Sequence, residues 1–420
     1  MSQTRRLPHD SPRPRTQRAV APAPTALLIG VLALLSTVSP LATDMYLPAF
    51  PQIASDLGTP ASGVQLTLTA FMVGLAAGQL VIGPMSDALG RRGPLLVGTV
   101  VCLVASIVCA LAPGITVFVL ARFVQGFSGA AGMVIARAVV TDVTTGATTA
   151  KLMNVMMVVG SIMPVLAPVL GGGILQLAHW RVIFWVIAAM VVLMILGILF
   201  VTGESLPPQR RHAGGLRKVA ANTGTVLRNR TYVSAALVLV LAFTTLFAYV
   251  SASPFVVQNV LGMSTLQYST LFAVNALGIT AGSMISIRLA GRVAVHRTLG
   301  AGVVGLLSAS LWLLVVVLAE ASAVPVLLGM FTATLSVGLI MGNASSLAMR
   351  AAATTAGTGS AFMGAVQFLL GAAVSPVVGI AGEADARPMA ITMAVCAAAA
   401  GAAYVALVRE LRRIERDVEG

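Results

Sequence analysis

The sequence predicts an all-α polytopic membrane protein whose twelve transmembrane helices form two six-helix bundles. Three observations support this. Of 420 residues, 58% are hydrophobic and 9% charged, with a mean hydropathy of +0.96, whereas soluble domains hold about 45–50% apolar residues. Apolar stretches near the ~20 residues needed to cross hydrocarbon recur along the whole length and leave no room for a sizeable soluble domain. They divide six and six around a polar segment.

Taken in order, the first six stretches fall at 26–48, 64–85, 95–113, 115–140, 152–177 and 182–202. The second six fall at 232–256, 266–289, 298–319, 323–347, 357–381 and 389–408. The expected organisation is therefore a basic tail (1–25), a first bundle (26–202), a linker (203–231), a second bundle (232–408) and a short tail (409–420). The linker carries Pro207, Pro208, Gly214, Gly215 and basic residues from Arg210 to Arg230, a composition that marks a connection. No small-residue cleavage site follows the first apolar stretch, so it reads as a retained span and not a signal peptide.

The net charge of +13 is dispersed over short loops, so nucleic-acid binding is not expected. Apart from Arg181 and Arg387 in loops and Arg122 within a span, the basic residues fall on the side shared by both termini. By the positive-inside rule that side is cytoplasmic, and Arg409, Arg412, Arg413 and Arg416 are expected at the anionic inner leaflet of the bilayer. Cys102, Cys109 and Cys396 lie in apolar stretches, and the four histidines lie outside the spans. Neither set suggests a disulfide framework, a metal centre or a hydrolase. Lys151 and Lys218, the two lysines, lack the surroundings of a phosphate-cradling loop. No catalytic residue, cofactor or enzymatic activity is expected, and an ion gradient is the remaining energy source.

Asp44 is the acidic side chain set well inside an apolar run. Such a group costs on the order of 2.5–3.5 kcal/mol to insert at a helix centre and is a functional candidate by default; the alternative is a shallow residue that merely ends a helix. Span 4 reads LARFVQGFSGAAG and buries Arg122, with Gln125 one turn on. Counting from the outer ends of spans 1 and 4 at 1.5 Å per residue, Asp44 and Arg122 differ in depth by about 5 Å. That difference is small enough to allow the two to pair. Burial and an adjacent arginine act on a carboxyl's proton affinity in opposite senses and by comparable amounts, so movement of the arginine is the expected proton switch.

The segment GPMSDALGRRG, Gly83 to Gly93, joins spans 2 and 3. A tight turn is expected there. Gly83, Gly90 and Gly93 permit unusual backbone angles, Pro84 limits helix continuation, Asp87 accepts from a helix terminus, and Arg91 and Arg92 stay at the inner interface. Gly90-Arg91 recurs as Gly291-Arg292 at an offset of 201, as in transporters built from parallel six-span repeats. Span 5 holds PVLAPVLGGG with Pro164, Pro168, Gly171, Gly172 and Gly173. Prolines free carbonyls and glycines permit close packing, which gives a helix able to bend, or one that is simply kinked.

The Gly83–Gly93 segment resembles the signature loop of the major facilitator superfamily, which implies that Gly83, Asp87, Gly90, Arg91 and Arg92 belong to a cytoplasmic gate. Ala88 stands where that family often has a basic residue. Arg122 with Gln125 matches the family's span 4 motif and implies a part in proton coupling. Pro164, Pro168, Gly171 and Gly172 resemble the antiporter motif of its drug exporters, with Ala167 in place of the first glycine. Three further segments, TDMYLPAFPQIASDLG (Thr43–Gly58), SASPFVVQNVLGMS (Ser251–Ser264) and AGTGSAFMGAVQFLLGA (Ala356–Ala372), look like the bicyclomycin and chloramphenicol resistance (Bcr/CflA) branch of the drug:proton antiporters.

The resemblance covers spans 1 to 12. It implies proton-coupled efflux of small amphipathic drugs, phenicol- or bicyclomycin-like antibiotics, by alternating access from the cytoplasmic membrane of a bacterium, with Asp44 as the proton carrier. A monomer is expected. Tyr46, Gln125, Phe247 and Tyr249 are the expected cavity residues, with Phe71, Phe243 and Phe255 as further stacking surface. Met153, Met156, Met157 and Met163 read as helix packing before they read as an adaptable wall. Ser36 stands where some related exporters carry a second acid, which favours uncharged amphiphiles over dications. Competing readings are an exporter of a sugar or biosynthetic product on the same fold, and a membrane enzyme or channel.

Overall fold

The computed structural model describes residues 25–211, 224, 226–353 and 356–419. The basic N-terminal tail and the linker's Gly214, Gly215, Arg217 and Lys218 lie outside the described residues.

Among the described residues, twelve helices are long and apolar enough to cross a membrane. Spans 1 to 6 are Ala26–Asp56, Ala61–Leu89, Arg92–Leu111, Ile115–Val143, Gly146–Leu177 and Arg181–Val201. Spans 7 to 12 are Arg230–Val260, Thr265–Leu289, Val295–Leu318, Ala323–Ala351, Thr358–Val377 and Arg387–Ile414. Local chemistry sets several starts: Thr25 and Asn229 accept from the backbone N–H groups of Leu28 and Tyr232, and Ser264 and Gln267 form a reciprocal capping box.

Most helices outrun the apolar stretches that announce them. Span 1 continues past residue 48, because a 3-10 turn at Leu47–Ala49 leads into a second helix, Phe50–Asp56. Pro48 and Pro51 sit in first-turn positions, where a missing N–H is harmless. Span 2 runs through Gly83 and Pro84 to Leu89, so the expected turn shrinks to Gly90 and Arg91. Proline is tolerated here because neighbouring helices and side chains satisfy freed backbone groups; the stop comes from Gly90, whose φ of 98° suits glycine. At the C-terminus the last helix extends to Glu419, so residues expected as a tail prolong span 12.

Helix pairing reveals two equivalent bundles. In the first, span 4 packs on 1, 2 and 3, span 6 on 1 and 3, and span 5 on 1. Adding six to every number gives the pairs observed in the second. The bundles meet through spans 2 with 11 and 5 with 8, pairs that interchange when the halves are swapped. Gly291, with φ 80°, occupies in the second half the place of Gly90 in the first.

Hydrogen bonds between the halves gather at the end remote from the linker. Gln65 Nε2 donates to the Ser251 carbonyl (3.1 Å), while within the second half the Ser251 hydroxyl lies 2.5 Å from that of Ser375. Ser375 Oγ donates to the Gln65 carbonyl (3.3 Å), Thr69 Oγ1 to that of Ala372 (2.9 Å) and Gln258 Nε2 to that of Pro48 (3.1 Å). No such bond joins the halves at the linker end among the described residues. Among these residues, the hydrogen bonds between the halves thus lie at the end remote from the linker.

Candidate substrate and proton site

Asp44 is the last residue of the first helical segment, immediately before the break in span 1. It lines a cavity of about 250 Å³ between the halves and is the one acidic side chain among the cavity's described walls. Only 9% exposed, it makes no ion pair or hydrogen bond through its carboxylate among the described residues. The first half contributes Ser39, Pro40, Met72, Met133 and Pro164 to the wall; the second contributes Phe243, Phe247, Tyr249, Phe272 and Asn275. The aromatic wall is ordered: Phe243 and Phe247 stack at 4.6 Å, Tyr249 and Phe272 at 5.9 Å, and Asn275 Nδ2 donates to Tyr249 Oη (2.8 Å). Such a surface takes flat apolar groups and offers a few polar contacts.

Phe247 and Tyr249 thus sit where the sequence suggests. Tyr46 and Gln125 do not. Both are fully buried and neither is among the cavity residues. They belong instead to a box around Arg122, whose guanidinium carbon lies 4.3 Å from the ring centroids of both Tyr46 and Phe71 and 5.8 Å from that of Phe184. Arg122 Nη1 donates to Gln125 Oε1 (2.5 Å), and Gln125 Nε2 donates to Ser106 Oγ (2.8 Å). Nε and Nη2 of this fully buried arginine have no partner. Aromatic faces supply part of what water would have given the cation.

The structure does not bring Asp44 and Arg122 into an ion pair. With Asp56 and not residue 48 ending span 1, Asp44 lies deeper than its expected place near the outer surface. The break after Asp44 then turns Tyr46 away from the cavity and over Arg122. Two adjacent compartments result, an acid facing the cavity and a cation held in the box behind it.

Span 5 closes this region. A Cβ at Gly171 would fall on the Met45 carbonyl oxygen, and one at Gly172 on the Ser269 hydroxyl of span 8. The glycine pair therefore lets span 5 approach both the break in span 1 and the opposite half. Pro164 lines the cavity, whereas Pro168 does not. Met156 is buried and Met157 exposed; none of the four span 5 methionines is a cavity residue.

At the linker end, Arg91 is buried (7% exposed) and not held at the aqueous interface. Its Nη1 donates to Asp87 Oδ1 (2.6 Å) and Ser86 Oγ (2.8 Å), and its Nε donates to Asp142 Oδ2 (2.9 Å). Burial opposes its charge, but the two carboxylates prevail and hold the guanidinium above its ordinary pKa. Glu204 accepts from the backbone N–H groups of Arg91 (2.8 Å), Arg92 (3.3 Å) and Leu206 (3.0 Å). Although burial pushes the Glu204 carboxyl up, these donors and Arg211 bring it below the usual glutamate value. The stability it adds is thus present above the ordinary carboxylate range and lost as pH falls through the lowered value. Arg92 is exposed and donates to the Leu199 carbonyl (3.0 Å). Gly83 lies inside the span 2 helix, against Val134.

Asp142 and Glu204 are members of this cluster that sequence reasoning missed. A side-by-side count of Lys and Arg ignores acids; two carboxylates at span ends beside a Gly-Arg-Arg turn were the available signal. Arg91→Gln is expected to lower stability by about 2 kcal/mol, because it leaves the largely buried Asp142 carboxylate without its cation. Arg92→Gln should move it by less than about 0.5 kcal/mol. Unfolding midpoints in detergent compare them, and equal shifts would contradict a stabilising role for the Arg91 cluster.

Two six-helix bundles related by a repeat, a broken helix and a mid-depth cavity at their interface define a secondary transporter of the membrane. The chain belongs to the Major Facilitator Superfamily, whose profile matches residues 32–376. It is 39% identical over 387 residues to the "Uncharacterized MFS-type transporter YdgK" of Bacillus subtilis, an alignment covering 92% of this chain and 95% of that one. It is 30% identical over 380 residues to the "Bicyclomycin resistance protein homolog" of Haemophilus influenzae, covering 90% and 96%. Among solved structures, a bacterial homologue of the human lysosomal transporter Spinster, inward-facing and occupied, shares the fold with a TM-score of 0.71 at 17% identity, covering 92% of this chain and 96% of that one.

Proposed function

We propose that the protein exports small amphipathic drugs, phenicol- or bicyclomycin-like, in exchange for protons. The observation that carries this reading is Asp44, an unpartnered acid at the break of span 1 that faces an aromatic-walled cavity. The bicyclomycin-resistance name of a relative supports the substrate class. Both termini and the linker are taken as cytoplasmic, which makes the linker end, opposite the hydrogen-bonded end, the loading side.

In the cycle, a drug entering from the linker side meets the Phe243 and Phe247 stack and competes with the proton on Asp44. Proton release lets the loaded cavity reorient, and protonation from the outside resets it. Arg122 is the counter-charge in waiting: opening of the Tyr46 and Phe71 box would free it to face the ionised Asp44. The Arg91 cluster ties spans 2 and 4 to the segment after span 6, so that the linker end of the first half moves as one body. The cavity lies between halves of one chain, so a monomer suffices. One proton crossing 100 mV yields about 2.3 kcal/mol, enough for roughly a fifty-fold drug gradient.

The test is growth of expressing cells across an antibiotic panel with and without an uncoupler. Raised tolerance to amphipathic antibiotics, abolished by the uncoupler, is expected. Unaltered tolerance across the panel, or tolerance indifferent to the uncoupler, would overturn the reading.

A further inference from the structure

We propose, resting on the proton-exchange reading above, that Arg137 makes the linker-side vestibule an anion-accepting entry site, so that amphiphiles with one negative charge, such as a carboxylic acid, are accepted beside uncharged drugs and ahead of cations. Arg137 lies on span 4 one turn from Met133, a cavity residue, about 6 Å further along the axis toward the linker end. Residues four apart share a helix face. The flanking faces are occupied: Gly129 and Gly132 pack against span 1, and Ala130 and Val134 against span 2. The stripe holding Met133 and Arg137 therefore looks into the gap between spans 1 and 2, which is the cavity.

Arg137 is exposed, and no ion pair or hydrogen bond holds it among the described residues. The contrast with the other inward arginines of this half is informative. Arg91 has two carboxylates and Arg122 has an aromatic box with a glutamine, whereas Arg137 has only the vestibule. A charge placed only to set topology has no need of the cavity stripe, since any position around the helix end serves. On the stripe it draws anionic groups toward the mouth and repels cations. The bidentate guanidinium suits a carboxylate, while the Phe243 and Phe247 stack beyond it receives the apolar body.

Charge balance points the same way. Exchange of one proton for a monocation moves no net charge, exchange for a neutral drug moves one charge inward, and exchange for a monoanion moves the equivalent of two. Each charge crossing 100 mV multiplies the attainable gradient by roughly fifty. A cavity with a single acid thus extracts most from the membrane potential when its cargo is an anion.

The experiment uses the full-length protein in proteoliposomes with an imposed pH gradient and three probes: coumarin-3-carboxylate, chloramphenicol and ethidium. For the wild type, coumarin-3-carboxylate should move faster than ethidium. Arg137→Gln should lower the ratio of coumarin-3-carboxylate to chloramphenicol transport about tenfold. Arg137→Lys should retain that ratio, and Arg137→Glu should shift preference to ethidium. Movement of chloramphenicol with ratios unaltered in Arg137→Gln and Arg137→Glu overturns the anion site alone. Absence of pH-driven movement of any probe by the wild type overturns the exchange reading and this site with it.

Discussion

Asp44→Asn is expected to abolish export against a gradient while leaving substrate exchange down a gradient in place. Asparagine keeps the size and the hydrogen-bonding reach of the side chain but cannot carry a proton. Asp44 has no hydrogen bond or ion pair through its carboxylate to lose and lies at a helix end already broken by the following turn, so the fold should tolerate the change. Without a proton to couple, the attainable substrate gradient at 100 mV should fall about fifty-fold, to equilibrium. Active uptake into inverted vesicles and counterflow in proteoliposomes separate the two behaviours. Continued pH-dependent accumulation by Asp44→Asn would show that another group carries the proton.

Arg122→Met should separate stability from function in the opposite way to most core changes. The arginine is fully buried with two unpartnered nitrogens. Replacing a buried charge by an apolar chain of similar volume is often neutral or stabilising, and methionine is favourable between aromatic rings. The unfolding midpoint is therefore expected to correspond to a stability change of no more than about 2 kcal/mol. Proton-driven export should fall at least about tenfold, because the cation that answers the ionised acid is gone. Arg122→Lys should recover little, since an ammonium lacks the planar fork that lies between the Tyr46 and Phe71 rings and bonds Gln125. Export at the wild-type rate by Arg122→Met, with a normal pH profile, would make the box a purely structural element.

The parts of this site that hydropathy could reach were legible. Asp44 stands out because a lone acid in an apolar run has few bland explanations, and Gly90 and Gly291 stand out because a positive φ after a helix narrows the choice of residue. Depth and facing were not legible. Hydropathy ends span 1 at residue 48, yet Pro48 and Pro51 open a further helical segment that carries it to Asp56. That displaces the outer end, from which the depth that allows Asp44 to pair with Arg122 is counted. Tyr46 reads as a cavity residue from its stacking surface alone, but the break after Asp44 turns its ring over Arg122. The partners of Arg91 come from spans 2 and 4 and from the segment after span 6, a convergence that only tertiary packing creates.

The bonding at the end remote from the linker consists, among the described residues, of amide, hydroxyl and carbonyl groups from Gln65, Thr69, Ser251, Ser375 and Gln258. None of these groups titrates near neutral pH, and none is an ion whose attraction salt would screen. Neither acidity nor ionic strength at that end alters these bonds, so in the proposed exchange cycle the trigger that parts them has to come from the load inside the cavity.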